Sequence, residues 1–159
     1  MDHRTIIASL TPELRDRLTE KSDRAGLVNL AWHWGLIVAL GALIVARMPF
    51  WWALILPQGI LIVFLFTLLH EAVHQTPFRT AWINEAVARV CGFVLCLPSD
   101  WFRYFHFAHH RHTQDPENDP ELASPKPETV WQYAKHVSGL PIWWGAISGL
   151  VINALDRNR

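Results

Sequence analysis

Two stretches without a charged side chain constrain the fold of this chain more than any other feature. Residues 27–46 and 50–69 contain no Asp, Glu, Lys or Arg, although 18% of the 159 residues are charged. Each stretch has 20 residues. A helix that rises about 1.5 Å per residue then spans about 30 Å, the thickness of the hydrocarbon core of a bilayer. The sequence therefore predicts an all-α integral membrane protein built on a hairpin of two transmembrane helices.

The basic residues predict the orientation of this hairpin. Arg and Lys are frequent before the first stretch and after the second, whereas the turn between them has only Arg47. Because cytoplasmic segments of membrane proteins carry an excess of Lys and Arg, we predict that the N-terminus and both outer ends of the hairpin are cytoplasmic. The first 25 residues are polar and lack the apolar core of a cleavable signal peptide. The formal net charge of +0 argues against a nucleic-acid partner.

Capping residues, prolines, glycines and segment lengths predict the structure of the segments around and within the hairpin. Residues 1–26 form an amphipathic segment that we expect on the cytoplasmic membrane surface, with Thr11 as the cap of a short helix. Pro57 and Gly59 predict a kink in the second transmembrane helix. Residues 82–97 are apolar but too short for a comfortable span, so we expect them at the membrane interface.

The remaining chain alternates between helix and loop. We predict a cytoplasmic helix over residues 101–112, followed by a loop over 114–127 whose prolines prevent helix continuation. Residues 128–155 are mostly apolar but are interrupted by polar residues, Gly and Pro. They are interpreted first as an interfacial segment, with a third membrane span as the alternative.

Histidines are concentrated at the end of the second apolar stretch and again in the predicted cytoplasmic helix. His70 and His74 are four residues apart, a spacing that puts both rings on one helix face. His106, His109 and His110 have spacings of three and four and also share a face. Imidazole is the side chain that most often binds transition metals in proteins. Five rings on two helix faces therefore predict a metal site where a membrane helix meets water.

The other candidate ligands carry a weaker signal. His112 points away from His106 on a helix and is expected near the site or facing solvent. His33, alone within the first apolar stretch, is expected to be a paired structural group. The two cysteines are five residues apart in an apolar segment, a spacing typical of neither a metal knuckle nor a redox motif, so we expect buried packing residues.

Two other functions remain open at this point. The segment from His70 to His74 reads H-E-x-x-H, the zinc protease signature in which two histidines bind Zn²⁺ and Glu71 acts as general base. Such a protease needs a third ligand, typically an Asp in a later membrane segment, and three more histidines are too many for one tetrahedral zinc. The other possibility is a non-catalytic membrane hairpin whose histidines bind metal without turnover.

The two clusters together resemble a known family. His70-x-x-x-His74 and His106-x-x-His109-His110, separated by 31 residues, resemble the first two histidine boxes of the membrane fatty-acid desaturase and hydroxylase family. The sequence that follows, through D-P-E at residues 119–121, resembles bacterial members. The resemblance implies that these five histidines are ligands of two iron ions. It also implies that O₂ serves as co-substrate for desaturation of a lipid acyl chain, with hydroxylation or ketolation as the alternative.

The same resemblance implies partners and an incomplete domain. The reducing equivalents would come from a separate, ferredoxin-like electron donor protein, because this chain has no haem or iron–sulfur motif. The family pattern has a third box, which is missing between residues 121 and 159, and the final residues 156–159 form no natural closing element. We therefore expect the N-terminal part of a longer protein, inactive by itself. The partial domain would cover 27–159, with the hairpin at 27–75 and the second box region at 82–121.

Overall fold

The structure is a computed structural model that describes residues 3–155, and each regular element in that range is helical. The four residues 156–159, which we interpret above as lacking a closing element, lie outside this range. Two short 3-10 turns occupy Trp51–Leu54 and Pro120–Leu122. The α-helices are α1 His3–Ser9, α2 Pro12–Leu18, α3 Asp23–Val45, α4 Ile55–Val63, α5 Leu65–Val73, α6 Ala81–Val94, α7 Ser99–His112, α8 Val130–Val137 and α9 Leu140–Ala154.

Two helical segments in the described range are long and apolar enough to cross a membrane. Pro12–Val45 contains α2 and α3, and Trp51–Val73 contains α4 and α5. The predicted hairpin and the all-α fold class are thus confirmed. Two further helix pairs meet the same criteria only if each bent pair is counted as one span: α6 with α7, bent by 101°, and α8 with α9, bent by 53°. The interfacial position of residues 128–155 stays a prediction.

Local sequence explains where the helices of the hairpin begin and break. Thr11 caps α2 as predicted, because its hydroxyl accepts a hydrogen bond from the Leu14 N–H at 3.3 Å. The helix break in the second span lies at Phe64, between α4 and α5, and α4 runs without interruption through Pro57 and Gly59. Pro57 is in the first turn of α4, where its missing N–H removes no helical hydrogen bond. The predicted position of the kink is therefore wrong.

The buried core lies at the end of the second span, where α5, α6 and α7 meet. Leu65, Leu69 and Cys91 are completely buried there, and Phe102 of α7 is 5% exposed. Cys91 and Cys96 are both free thiols; Cys91 is buried as expected, whereas Cys96 is only half-buried. The core consists of Ile37, Leu65, Leu69, Ala72, Val73, Phe78, Val87, Ala88, Cys91 and Phe102.

Hydrogen bonds fasten the loop between α5 and α6 to its surroundings. The buried Asn84 amide donates to the Phe78 carbonyl at 2.9 Å, and its oxygen accepts from the Phe78 N–H at 3.3 Å. At the start of α3, the Asp23 carboxylate accepts from the N–H and hydroxyl of Thr80, at 2.9 and 2.7 Å. The end of α5, which carries the first histidine pair, is thereby held against the first span.

The turn between α6 and α7 brings the second histidine cluster back over α5. Gly92 is required here because a Cβ at this position would lie 2.5 Å from the Leu97 carbonyl oxygen. Across the turn, Arg103 of α7 donates to Glu85 of α6 at 2.6 Å, and Gln75 donates to the same carboxylate oxygen at 2.8 Å. The bend of 101° between α6 and α7 and these contacts together set the position of α7.

Candidate metal centre

Four histidines from two helices converge at the end of the second span. His70 lies in the last turns of α5 and His74 is its C-terminal cap, whereas His106 and His110 lie one turn apart on α7. Each residue offers one ring nitrogen, and these four atoms all lie within 4.8 Å of one another. His106 is 7% exposed. The structure therefore brings together four of the five histidines that the sequence analysis proposes as ligands.

Three of these rings approach one another through their Nε2 atoms. The Nε2 atoms of His74 and His106 are 3.0 Å apart, those of His74 and His110 are 3.2 Å apart, and those of His106 and His110 are 2.9 Å apart. The Nε2 of a neutral imidazole carries either a hydrogen or a lone pair. Among three such atoms at least two are of the same kind, so at least one of the three contacts pairs two donors or two acceptors. Hydrogen bonding alone therefore leaves this triangle unsatisfied.

A cation resolves this conflict because it accepts a lone pair from each nitrogen. Two nitrogens that are each about 2.1 Å from one ion lie about 3.0 Å apart at a right angle and about 3.4 Å apart at the tetrahedral angle. The observed separations of 2.9, 3.0 and 3.2 Å are of this size. The donor set thus fits a transition-metal ion.

The pKa values of the cluster favour the metal-binding form of imidazole. Burial, followed by the charges of neighbouring histidines, lowers the pKa of His106 to about 4. Burial also lowers the pKa of His74, with further contributions from His70 and His110. Both rings are therefore neutral near pH 7, and a neutral ring is the form that binds a metal.

A carboxylate contacts the Nδ1 of His70, which is called the outer nitrogen here because Nε2 is the atom offered to a metal. Glu71 Oε1 lies 3.0 Å from His70 Nδ1, and Glu71 Oε2 accepts a hydrogen bond from the Thr76 hydroxyl at 2.6 Å. With its Nδ1 hydrogen engaged in this way, His70 keeps the lone pair on Nε2 available. A carboxylate on the outer nitrogen of a histidine is the usual partner of a metal-binding ring.

The fifth predicted ligand, His109, faces a different direction. Its Nδ1 lies 2.8 Å from Asp119 Oδ1, and its Nε2 lies 3.5 Å from Glu121 Oε2. The hydrogen bond with Asp119 raises the pKa of His109. The structure thus places His109 beside the loop that follows α7 and outside the four-histidine cluster.

Sequence reasoning missed the two carboxylates that hold His70 and His109. The sequence pattern indicates Glu71 only as the base of a zinc protease, and Asp119 only as part of the extension that resembles the family. The acidic run at residues 115–121, directly after the second cluster, was a usable signal because carboxylates commonly bind the outer nitrogen of a ligating histidine.

The remaining histidines of the sequence analysis lie outside the cluster. His33 Nε2 is 2.9 Å from the Leu61 carbonyl oxygen of the second span, which agrees with a paired structural role. His112 Nδ1 is 4.0 Å from Asp115 Oδ2, and the ring belongs to no group of candidate metal ligands in the described residues.

Comparison with known proteins gives concordant results. The family model for fatty acid desaturases matches residues 46–157. A Delta(12)-acyl-lipid-desaturase from Punica granatum is 29% identical over 114 residues, which cover 70% of this chain and 27% of that protein. An sn-1 oleoyl-lipid 12-desaturase from Picosynechococcus sp. is 27% identical over 104 residues, or 58% of this chain and 30% of that protein. The chain therefore spans less than a third of either relative, and no solved structure matches it.

Proposed function

This chain belongs to the fatty acid desaturase family, and we propose that it supplies the first two histidine boxes of an O₂-dependent di-iron enzyme that desaturates a fatty acyl chain. The observation that carries the proposal is the convergence of three Nε2 atoms, from His74, His106 and His110, at 2.9–3.2 Å. The names of the two relatives favour an acyl chain carried by a lipid. Hydroxylation or ketolation of the same kind of chain is the alternative reaction.

The histidines and their carboxylates have separate tasks in this proposal. The four converged rings hold one iron, and His109 belongs to the ligands of the second. When bound, the irons would activate O₂, which with two electrons from the donor protein is the oxidant that removes two hydrogens from the acyl chain and is reduced to water. Glu71 orients the ring of His70 through its Nδ1, at 3.0 Å.

The position of the cluster suits an acyl substrate. The second span ends at Val73, directly before His74, and α7 presents exposed apolar side chains such as Trp101, which is 55% exposed. An acyl chain can therefore approach the cluster sideways from the bilayer. We propose that this end of the hairpin is cytoplasmic, as the distribution of basic residues predicts. A ferredoxin-like protein then delivers electrons there.

The zinc protease interpretation finds less support in the site. In that mechanism the carboxylate of the H-E-x-x-H signature must reach a metal-bound water. Here both oxygens of Glu71 are engaged, one by His70 Nδ1 and the other by the Thr76 hydroxyl.

Metal analysis of the purified chain tests the proposal. We expect iron in clear excess over zinc, and roughly 100-fold weaker iron binding in His106→Ala and in His110→Ala, since loss of a ligand costs at least as much as loss of its supporting partner. His112→Ala, on the same helix but outside the cluster, should bind iron like the wild type. Circular dichroism verifies that each variant remains helical.

Two outcomes would contradict this assignment. One zinc per chain without iron would support the protease, and iron retained in both variants would remove His106 and His110 from the ligand set. The reaction is identified by acyl-chain analysis of lipids from cells that express the full reading frame. A new double bond that disappears with His110→Ala indicates a desaturase, a new hydroxyl group indicates a hydroxylase, and an unchanged acyl composition with iron bound indicates a non-catalytic hairpin.

A further inference from the structure

Asp119 is an unusual residue for an exposed acidic loop. It is 3% exposed, and it is the one Asp or Glu among residues 3–155 that is buried. Its neighbours in the loop, including Asp115 and Glu117, are half-buried or exposed. An ionised carboxylate is costly to bury unless its oxygens receive hydrogen bonds or a charged partner. The contacts of Asp119 therefore indicate what it is buried for.

Asp119 accepts hydrogen bonds from three donors, one side chain of α7 and two backbone N–H groups of the loop. Its Oδ1 lies 2.8 Å from His109 Nδ1 and accepts from the Glu121 N–H at 3.0 Å, and its Oδ2 accepts from the Gln114 N–H at 3.0 Å. Gln114 has a left-handed backbone, with φ of 66°, so the chain turns sharply at this point and folds the loop back onto α7. The two backbone contacts fix the carboxylate, and the fixed carboxylate faces His109.

This contact determines which nitrogen of His109 carries the hydrogen. A carboxylate accepts but does not donate, so His109 Nδ1 must be protonated, and a neutral ring then has its lone pair on Nε2. That Nε2 lies 3.5 Å from Glu121 Oε2, so a bound cation there would also face a carboxylate. The same arrangement recurs at His70, whose Nδ1 lies 3.0 Å from Glu71. His70 of the first histidine pair and His109 of the second cluster thus each have a carboxylate oxygen beside Nδ1.

We propose that Asp119 is a positioning residue: it holds His109 in the Nδ1–H tautomer and orients the ring so that Nε2 is the atom available to a metal. This inference rests on the proposed function, because it takes His109 to be a ligand. It extends the metal centre from the two helices to the loop that follows α7, where Asp119 is the connecting residue.

A purely structural role for Asp119 makes a different prediction. If the carboxylate only stabilised the loop through Gln114 and Glu121, its loss would lower stability without changing the tautomer of His109. Asp115 provides a matched control, because it also accepts two hydrogen bonds within the loop, from the Glu117 N–H at 3.0 Å and the Asn118 amide at 2.8 Å. It lies next to His112, which is outside the cluster.

Nitrogen NMR of the metal-free chain, labelled with ¹⁵N-histidine in detergent micelles, tests the tautomer. The His109 signals are assigned by their loss in His109→Ala. At a pH high enough for the His109 ring to be neutral, because Asp119 raises its pKa, we expect the Nδ1–H form in the wild type and in Asp115→Asn, and a redistribution toward the Nε2–H form in Asp119→Asn and Asp119→Ala. Unchanged His109 signals in both Asp119 variants would overturn the inference.

Titration with Co²⁺, followed by its visible absorption, gives the second measurement. Loss of a partner on the outer nitrogen of a ligand typically weakens metal binding about 10–100-fold. We expect Asp119→Asn to weaken the Co²⁺-binding step that is lost in His109→Ala by about tenfold or more. In a His109→Ala background, Asp119→Asn should have no further effect on Co²⁺ binding. An equal effect in both backgrounds would contradict the inference. A wild-type chain that binds neither Co²⁺ nor Fe²⁺ would instead contradict the proposed function, and the NMR result would still decide the role of Asp119.

Discussion

The outer part of the hairpin, α3 and α4, and the two helices that pack beside the metal centre, α5 and α6, differ in where their apolar side chains lie. In α3 and α4 most apolar side chains face outward, as with Val38, which is 65% exposed, and Leu56, which is 72% exposed. In α5 and α6 one face is buried, and Leu65 and Leu69 have no exposed surface, although Trp82 and Phe93 on the other face of α6 remain exposed. Lipid is as apolar as leucine, so an apolar span does not need a protein partner for each side chain. Hydrophobicity therefore keeps the spans in the bilayer, whereas close packing of α5, α6 and α7 sets the positions of the ligands.

The largest expected effect on stability is the difference between substitutions of one leucine in each region. Leu69→Ala leaves a cavity in the core and should lower the free energy of unfolding by about 2–4 kcal/mol. Leu56→Ala removes the same atoms from an exposed surface and should change it by less than about 0.5 kcal/mol. Denaturant unfolding in detergent micelles, followed by circular dichroism, measures both. Equal losses would show that the two regions are packed alike.

An intermediate effect on stability is expected for one of two glycines in α3. A Cβ at Gly26 would lie 2.5 Å from the Pro77 carbonyl oxygen and 2.6 Å from the Phe78 ring. Gly26→Ala should therefore lower the free energy of unfolding by about 1–3 kcal/mol through overpacking. Gly35, on the same helix, has nothing within 4 Å of that position, and Gly35→Ala should be neutral or stabilising by up to about 1 kcal/mol. The same unfolding assay applies, and tolerance of both substitutions would place the close approach of α3 to the α5–α6 loop in doubt.

The smallest effect concerns the ion pair between α6 and α7. Arg103 Nη2 lies 2.6 Å from Glu85 Oε1, with the two side chains 27% and 29% exposed. Because solvent screens such a pair, Glu85→Gln should lower the free energy of unfolding by about 1 kcal/mol or less. Glu117→Gln in the acidic loop is the control. Unfolding at low and high salt measures the change, and a loss well above that of Leu69→Ala would mean that charge rather than packing holds α7.

The local features of this protein follow from its sequence alone. The charge-free stretches at 27–46 and 50–69 led to the two spans, and the spacing of His70 and His74 led to a shared helix face. Both depend on neighbours within a few turns, and helix periodicity is the same wherever the helix lies. Periodicity alone does not predict the direction of His109: at about 100° per residue it lies only about 60° from His106, and its ring faces Asp119 of the following loop instead.

Only the tertiary structure brings the two histidine pairs onto one point. That convergence depends on the 101° bend between α6 and α7, on the close approach at Gly92, and on the packing of α5 against α6. Each involves residues far apart in the chain, and no periodic pattern encodes their distances. Likewise, the burial of Asp119 beside His109 depends on a loop that turns back at Gln114. The sequence determined which side chains are available for a metal, and the packing of three helices and one loop determined which of their atoms meet.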